Sequence, residues 1–235
     1  MFKNIVRCWL LAGALAICST HAVALQFANP LVASLSVRAT DLDPDVLKYA
    51  VNAMQCAVRH GAQPAERLAV IDFSLPSAEQ RLWIFDLTRR ELLLSDYVAH
   101  GSGSGEFFAT EFSNVMGSHQ SSLGLFRAAE SYDGKHGYSL RMDGLEPGVN
   151  DLARDRAIVI HGADYVDPSW IPQYGRIGRS QGCPAVRRAI APKVVDALKD
   201  GQFVFAYYPD QKWLQSSAYL SCDPTRVAAA QRDAG

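Results

Sequence analysis

A histidine and a cysteine in the second half of the chain are the residues whose types and spacing offer chemistry. His161 follows the apolar run 157–160, Ala-Ile-Val-Ile, which predicts a short buried strand that ends at the imidazole. Cys183 closes the run 180–183, Ser-Gln-Gly-Cys, in a loop rich in Gly and Ser. Because an imidazole can take the proton of a thiol, and the thiolate can then attack a carbonyl carbon, the pair predicts nucleophilic acyl chemistry.

Glycines beside both residues favour the same interpretation. Gly162 permits a sharp backbone turn after the histidine. Gly182 leaves room for a substrate beside the backbone, so the N–H groups of Gln181, Gly182 and Cys183 are candidates to bind a developing oxyanion. Taken alone, the pair is also compatible with a buried structural thiol and a hydrogen-bonded histidine.

The surrounding sequence resembles a known enzyme family. The His-Gly at 161–162 and the Ser-Gln-Gly-Cys at 180–183 resemble the signature of the YkuD-type L,D-transpeptidases, a His-Gly and later a Ser-x-Gly-Cys. Residues 121–126, Ser-Ser-Leu-Gly-Leu-Phe, are similar to the Thr-Pro-x-Gly-x-Phe strand of that family. Residues 132–141 and 175–185 resemble the murein L,D-transpeptidase catalytic-domain branch in particular.

The resemblance extends over residues 67–208 and departs from the commoner family pattern at two positions. Gln181 stands where the larger family usually has a histidine. Ala185 replaces the arginine that usually follows two residues after the cysteine. Both departures leave the nucleophile and the base intact, and they concern the contacts with the donor peptide.

The resemblance implies a periplasmic enzyme that acts on peptidoglycan stem peptides. Cys183, deprotonated by His161, would attack the bond between a diamino acid and D-Ala in a tetrapeptide stem, and a thioester would remain. An amine of a second stem as acceptor gives a 3→3 cross-link. Water gives an L,D-carboxypeptidase, and a lysine of a wall-attached protein gives a protein–wall bond. A non-catalytic wall-binding module with the same fold is the alternative from another class.

Six further residues are candidates for contacts with the substrate. Arg176 and Arg179 share the loop of Cys183, where a guanidinium group favours a thiolate, binds a carboxylate of the stem peptide or is simply solvated. Others come from the segments similar to the family. The six are Ser180, Arg179, Arg176, Tyr138, His136 and Gly162.

The sequence leaves open which group orients the imidazole of His161. A triad needs a partner on the second ring nitrogen. In the family this partner is usually a backbone carbonyl. Asp164 is an acid close by in the chain, although an aspartate three residues on more often makes a turn contact.

The remaining chemistry argues against a metal and against nucleic acid. The histidines form no His-Glu-x-x-His, no His-x-His and no pair at i and i+4, so we predict no metal ligand and no cofactor. The net charge is −1, whereas a nucleic-acid partner calls for a basic surface.

The first residues have the composition of an export signal. Lys3 and Arg7 precede the apolar run 9–17, which is too short to span a bilayer, and 22–24, Ala-Val-Ala, matches a small-x-small cleavage pattern. We therefore expect residues 1–24 to be a signal peptide cleaved after Ala24. This implies a periplasmic location and no membrane span after cleavage.

Cleavage would leave three cysteines, an odd number for a protein that reaches an oxidising compartment. If Cys183 must stay free to react, Cys56 and Cys222 are the natural pair. We hypothesise a disulfide that pins the C-terminal segment onto an N-terminal helix. Two buried free thiols are the alternative.

The pattern along the chain predicts a mainly β protein with peripheral helices (α+β), in agreement with the YkuD-like β-sandwich or barrel core that the resemblance implies. Asp43, Pro44 and apolar residues at helical spacing predict an amphipathic helix over 44–60. A second helix is predicted over 192–199. Strands are predicted at 67–73, 81–87, 92–98, 123–128, 138–142, 157–160 and 202–208.

Four segments follow from these patterns. After the signal peptide, residues 25–65 are a lead-in and a packing helix, and 66–221 are the catalytic domain. Residues 222–235, rich in Ala and polar residues, are expected to be a frayed C-terminal tail.

Overall fold

The computed structural model describes residues 29–233, so the expected signal peptide at 1–24 lies outside the described residues. Helices are α1 (Pro30–Ser36), α2 (Pro44–Arg59), α3 (Ile171–Tyr174), α4 (Ala191–Leu198), α5 (Gln211–Ser216), α6 (Ala218–Ser221) and α7 (Pro224–Asp233). Strands are β1 (Arg67–Asp72), β2 (Leu82–Asp86), β3 (Glu91–Asp96), β4 (Val98–Ala99), β5 (Gly124–Gly134), β6 (Gly137–Gly144), β7 (Val159–Ala163), β8 (Ala185–Arg187) and β9 (Phe203–Tyr207). Within the described residues, none of the helices combines the length and apolarity needed to cross a membrane.

Helix α2 begins and ends as its sequence predicts. The Asp43 side chain accepts a hydrogen bond from the N–H of Asp45, and Pro44 fills the first turn. Gly61, with φ +101°, follows the last turn. The apolar side of α2 packs on β1 and β9 and is buried at Val46, Leu47, Ala50, Val51 and Met54. The helix covers one face of the sheet.

The strands form one nine-stranded sheet in the order β3-β2-β1-β9-β5-β6-β7-β8-β4. Strands β1 to β3 form the antiparallel meander that their short connections favour. The β1–β9 and β7–β8 pairs are parallel. Strands β1 and β2 are buried along almost their whole length, as expected for strands covered on both faces.

The two edges of this sheet come from one short stretch of chain. Strand β3 lies at one edge and β4 at the other, yet only Tyr97 separates them in sequence. The edges must therefore meet at Tyr97, which curls the sheet into a nearly closed barrel. The predicted fold class, mainly β with a barrel-like core and peripheral helices, is confirmed.

Strand β7 differs from its prediction at both ends. Ala157 has φ +53° and precedes the strand, and β7 continues through His161 to Ala163. Gly162 lies within this extended strand, so it makes no sharp turn. An ideal Cβ on Gly162 would lie 2.8 Å from Ala191 Cβ, which means that close packing against α4 requires the glycine.

The expectation of a frayed C-terminal tail is wrong for the described part of that segment. Residues 224–233 form helix α7, whose Val227 is fully buried and whose Ala230 is 4% exposed. These two apolar positions lie one turn apart and form the buried face of an amphipathic helix. Burial of this face stabilises a helix that intrinsic helix propensity alone would not. The lead-in before α2 likewise contains the short helix α1.

Cys56 and Cys222 form a disulfide in the structure. Their Sγ atoms lie 2.13 Å apart and their Cα atoms 5.6 Å apart, across a sequence separation of 166 residues. The bond joins α2 to the residue that follows α6. Cys183 is the free cysteine of the described residues. Among these residues, Cys56, His60 and Cys222 are also a group close enough to hold a metal ion, but both sulfurs are engaged in the disulfide.

Candidate active site

Three neighbouring strands bring the candidate histidine and cysteine together. His161 on β7 pairs with Ser139 on β6 and with Ala185 on β8. Directly paired residues share a face of the sheet, and so do residues two apart on a strand. Cys183 lies two residues before Ala185, so the register directs it to the side of the sheet that carries the imidazole.

A backbone carbonyl orients the imidazole. His161 Nδ1 lies 3.1 Å from the carbonyl oxygen of Gly162. Because a carbonyl oxygen can only accept, Nδ1 carries the proton and Nε2 of the neutral ring is free to accept one. Asp164 is not the partner, since its exposed carboxylate accepts from Arg188.

Burial makes the imidazole neutral. It lowers the pKa of His161 below its usual 6.5. The hydrogen bond to the Gly162 carbonyl opposes this shift, whereas the nearby charges of His136 and Arg188 lower the pKa further. The His136 ring stacks on the His161 ring with centroids 4.3 Å apart. His136 comes from the tight turn between β5 and β6, which folds over the His161 ring.

The Cys183 thiol faces the beginning of β7. Its Sγ accepts a long hydrogen bond, 3.4 Å, from the N–H of Val159, and donates to the carbonyl oxygen of Ala157 at 3.6 Å. Burial raises the pKa of this thiol above its usual 9.0, while the Val159 N–H and the Arg156 charge oppose the rise. The resting site is therefore a neutral thiol beside a neutral imidazole.

The Ser180 hydroxyl shapes the loop that carries Cys183. It accepts from the N–H of Gly182 at 3.1 Å and donates to the carbonyl oxygen of Cys183 at 2.6 Å. Gly182 has φ +118°, and a Cβ there would lie 3.0 Å from the carbonyl oxygen of Gln120. The loop thus requires glycine for its backbone conformation and for its packing.

The segment around His100 anchors this loop from below. Ser180 N–H donates to the carbonyl oxygen of His100 at 2.9 Å, and Ser102 N–H donates to that of Ser180 at 2.7 Å. The buried Arg81 donates to His100 Nδ1 at 2.7 Å, so the proton of the neutral ring is on Nε2, which faces the Gly105 carbonyl. Burial lowers the pKa of His100 to about 3, so the His100 ring stays uncharged.

One of the three N–H groups predicted to bind an oxyanion is already engaged in a hydrogen bond. The Gly182 N–H already donates to Ser180 Oγ, so it is not available to a substrate. Within the described residues, the N–H groups of Gln181 and Cys183 donate to no acceptor of the protein. These two groups remain as the candidates.

A cavity of about 500 Å³ contains both chemical groups, a size typical of a ligand pocket. Of the six predicted contact residues, His136, Arg179 and Ser180 line it, and so does Gln181, which was predicted for the oxyanion. Arg179 donates to the Gly105 carbonyl at 2.9 Å, and its other donors find no acceptor in the part of the chain that the structure describes. Ser180 contributes surface, but its hydroxyl is engaged within the loop.

Three predicted contact residues lie elsewhere. The Tyr138 hydroxyl donates to Asp196 on α4 at 2.9 Å, on the sheet face opposite the imidazole. Gly162 packs against the same helix. Arg176 does not line the cavity. Its Nη2 lies 3.6 Å from Glu106 Oε1, and its Nη1 donates to the carbonyl oxygen of Ile177.

Several residues that line the cavity were not predicted as site residues. They are His119, Lys135, Arg156 and Tyr165, together with the apolar Met116 and Ile158. Burial raises the pKa of Tyr165 to about 12, so its phenol stays neutral. Lys135 could have been predicted, because it lies beside His136 at a hairpin turn.

Comparison with known proteins identifies the family. A model of the L,D-transpeptidase catalytic domain matches residues 38–207, most of the chain, and the chain belongs to this family. This confirms the resemblance seen in the sequence. No curated protein matches the chain significantly.

Solved structures of L,D-transpeptidases are similar at low identity. One from Mycobacterium smegmatis is 15% identical, covers 61% of this chain and 59% of its own, and has a TM-score of 0.39. One from Xylanimonas cellulosilytica is 17% identical over 76% of this chain and 93% of its own, with a TM-score of 0.35. One from Stackebrandtia nassauensis is 11% identical over 75% and 76%, with a TM-score of 0.37. The chain thus spans about three fifths of the mycobacterial protein, and family membership rests on the family match alone.

Proposed function

We propose that this chain is a peptidoglycan L,D-transpeptidase in which Cys183 is the nucleophile and His161 is the general base. The observation that carries the proposal is the shared cavity, where an imidazole with Nδ1 tied to the Gly162 carbonyl keeps Nε2 free beside a half-buried thiol. Family membership supports the reaction class.

Acylation would start from the neutral pair. The Cys183 sulfur attacks the carbonyl carbon between the diamino acid and D-Ala, and the S–H proton passes to Nε2 of His161. The oxyanion accepts from the N–H groups of Gln181 and Cys183. The C–N bond then breaks, the D-Ala amine takes the proton from His161, and the acyl group stays on sulfur as a thioester.

The charge of the cavity supports an anionic peptide substrate. Lys135, Arg156 and Arg179 line it, and among the residues that the structure describes, none of those that line it is an Asp or a Glu. A stem peptide carries free carboxylates. Because Arg179 keeps donors that the Gly105 carbonyl does not use, we propose that it binds one of these carboxylates.

The acceptor defines the reaction in the second half of the cycle. An amine of a neighbouring stem attacks the thioester carbon, the thiol is regenerated, and a 3→3 cross-link results. Water would give the carboxypeptidase product, and a lysine of a wall-attached protein would give a protein–wall bond. We propose the cross-link as the main product and the periplasm as the location.

The test uses purified protein, a disaccharide-tetrapeptide and mass spectrometry of the products. Dimers that lack one D-Ala are expected from the wild type and not from Cys183→Ala or His161→Ala. Tyr138→Phe is the matched control that should keep full activity, because this hydroxyl bonds to Asp196 on the far face.

Other outcomes would change the proposal. Tripeptide monomer alone would identify an L,D-carboxypeptidase. A tetrapeptide that survives with stem, water and lysine-containing protein acceptors all present would overturn the enzymatic proposal in favour of a wall-binding module.

A further inference from the structure

Arg156 is a half-buried cation with no anionic partner among the described residues. Its Nη2 donates to the Gln120 carbonyl at 2.6 Å and to Ser118 Oγ at 3.3 Å. Its Nη1 donates to the Ser113 carbonyl and to Ser122 Oγ. All four acceptors are neutral oxygens, so the positive charge is held in place without being neutralised.

This charge lies beside the nucleophile. Arg156 and Cys183 line the same cavity, and a Cβ on Gly182 would lie 3.6 Å from Arg156 Nη2. Arg156 directly precedes Ala157, whose carbonyl oxygen faces the Cys183 sulfur. The guanidinium group therefore sits at the junction of the cysteine loop and the beginning of β7.

The thiol needs such a charge when it ionises. The Ala157 carbonyl opposes a negative sulfur, and burial opposes it too, whereas a fixed cation nearby stabilises it. The charge of Arg156 opposes the rise that burial causes in the pKa of the Cys183 thiol. The other titratable groups that line the cavity are His119, Lys135, His136, His161, Tyr165 and Arg179.

We propose that Arg156 is a positioning residue that stabilises the Cys183 thiolate through its charge while its four hydrogen bonds hold the 113–122 segment against the cysteine loop. It takes no proton and touches no reacting atom. The S–H proton still passes to His161, and Arg156 lowers the free energy of the ion pair that results. This rests on the proposed function only in taking Cys183 as the nucleophile.

The test measures the rate of Cys183 alkylation by iodoacetamide against pH, with peptide mass mapping to locate the label. Arg156→Gln should raise the apparent pKa of the thiol by about one unit and slow alkylation about tenfold at neutral pH. Arg156→Lys, which keeps the charge but not the forked hydrogen bonds, should restore most of the rate. No stem peptide is used, so failure here is distinct from failure of the proposed function.

Arg154→Gln is the matched control. It removes a positive charge two residues away, from an exposed side chain paired with Glu130 and Asp143, and should leave the alkylation profile unchanged. Equal profiles for wild type and Arg156→Gln, or equal slowing in the Gln and Lys variants without a shift in pKa, would overturn the proposal. If the Gln variant does not fold, the Lys variant decides: a wild-type thiol pKa supports the proposal, and one raised by about a unit overturns it.

Discussion

Removal of the disulfide should cost much of the stability of the fold. Cys56 and Cys222 close a loop with a sequence separation of 166 residues. In the chain-entropy account this loop length corresponds to about 5 kcal/mol at 25 °C, which is near the upper end of what disulfides contribute. We expect Cys56→Ser/Cys222→Ser to lose about 2–5 kcal/mol of unfolding free energy.

Urea unfolding followed by far-UV circular dichroism measures this loss. The midpoint should fall and the m-value should rise, because the denatured chain is no longer cross-linked and exposes more surface. Wild type in reductant should match the double variant and gain the mass of two hydrogens. Cys183→Ser is the control for general thiol effects, and it should keep the wild-type midpoint.

A small effect would refute the reasoning. If the double variant and the reduced wild type both unfold within about 1 kcal/mol of the oxidised protein, the chain-entropy account does not describe the effect of this disulfide on stability. An unchanged mass on reduction would mean that the two cysteines are free thiols.

Two further predictions concern the chemistry. The pKa of His161 lies below 6.5 and that of Cys183 lies above 9.0. The value of kcat/KM should therefore be flat around pH 7 and fall only at lower pH, where His161 becomes protonated. A thiol alkylation rate that is already at its maximum at acid pH would instead indicate a thiolate–imidazolium pair. Gly182→Ala should lower kcat/KM about 10- to 100-fold, since strain of about 1–3 kcal/mol at φ +118° adds to contact with the Gln120 carbonyl. Gly148→Ala, also at positive φ but with open space around it, is its control and should keep activity; equal activity of the two variants would contradict the packing argument.

The sequence could single out the candidate pair because its signal was local. His161 and Cys183 each lie in a short motif that resembles the family signature, and both side chains line the observed cavity. The helix at 44–60 was predictable for the same reason, since Asp43, Pro44 and Gly61 mark its ends. Local patterns such as these need no knowledge of the tertiary structure.

Contacts that depend on the face of a strand could not be predicted in this way. Tyr138 and His136 are two residues apart, but β6 begins at Gly137, so His136 belongs to the turn over the base while Tyr138 faces α4. Arg156 was missed because a single arginine before a strand has no pattern of its own. Its role depends on the approach of the 113–122 segment, which no local signal indicates.

The strand order of the barrel also bears on how the chain can fold. Strand β9 fills the space between β1 and β5, so without it the sheet divides into β3-β2-β1 and β5-β6-β7-β8-β4, each with a buried strand left as an open edge. Because β9 is made last, a nascent chain carries both apolar edges until residues 203–207 emerge, and pairings of such long range form slowly. A chain truncated before β9 should therefore aggregate through these edges rather than persist as a smaller domain.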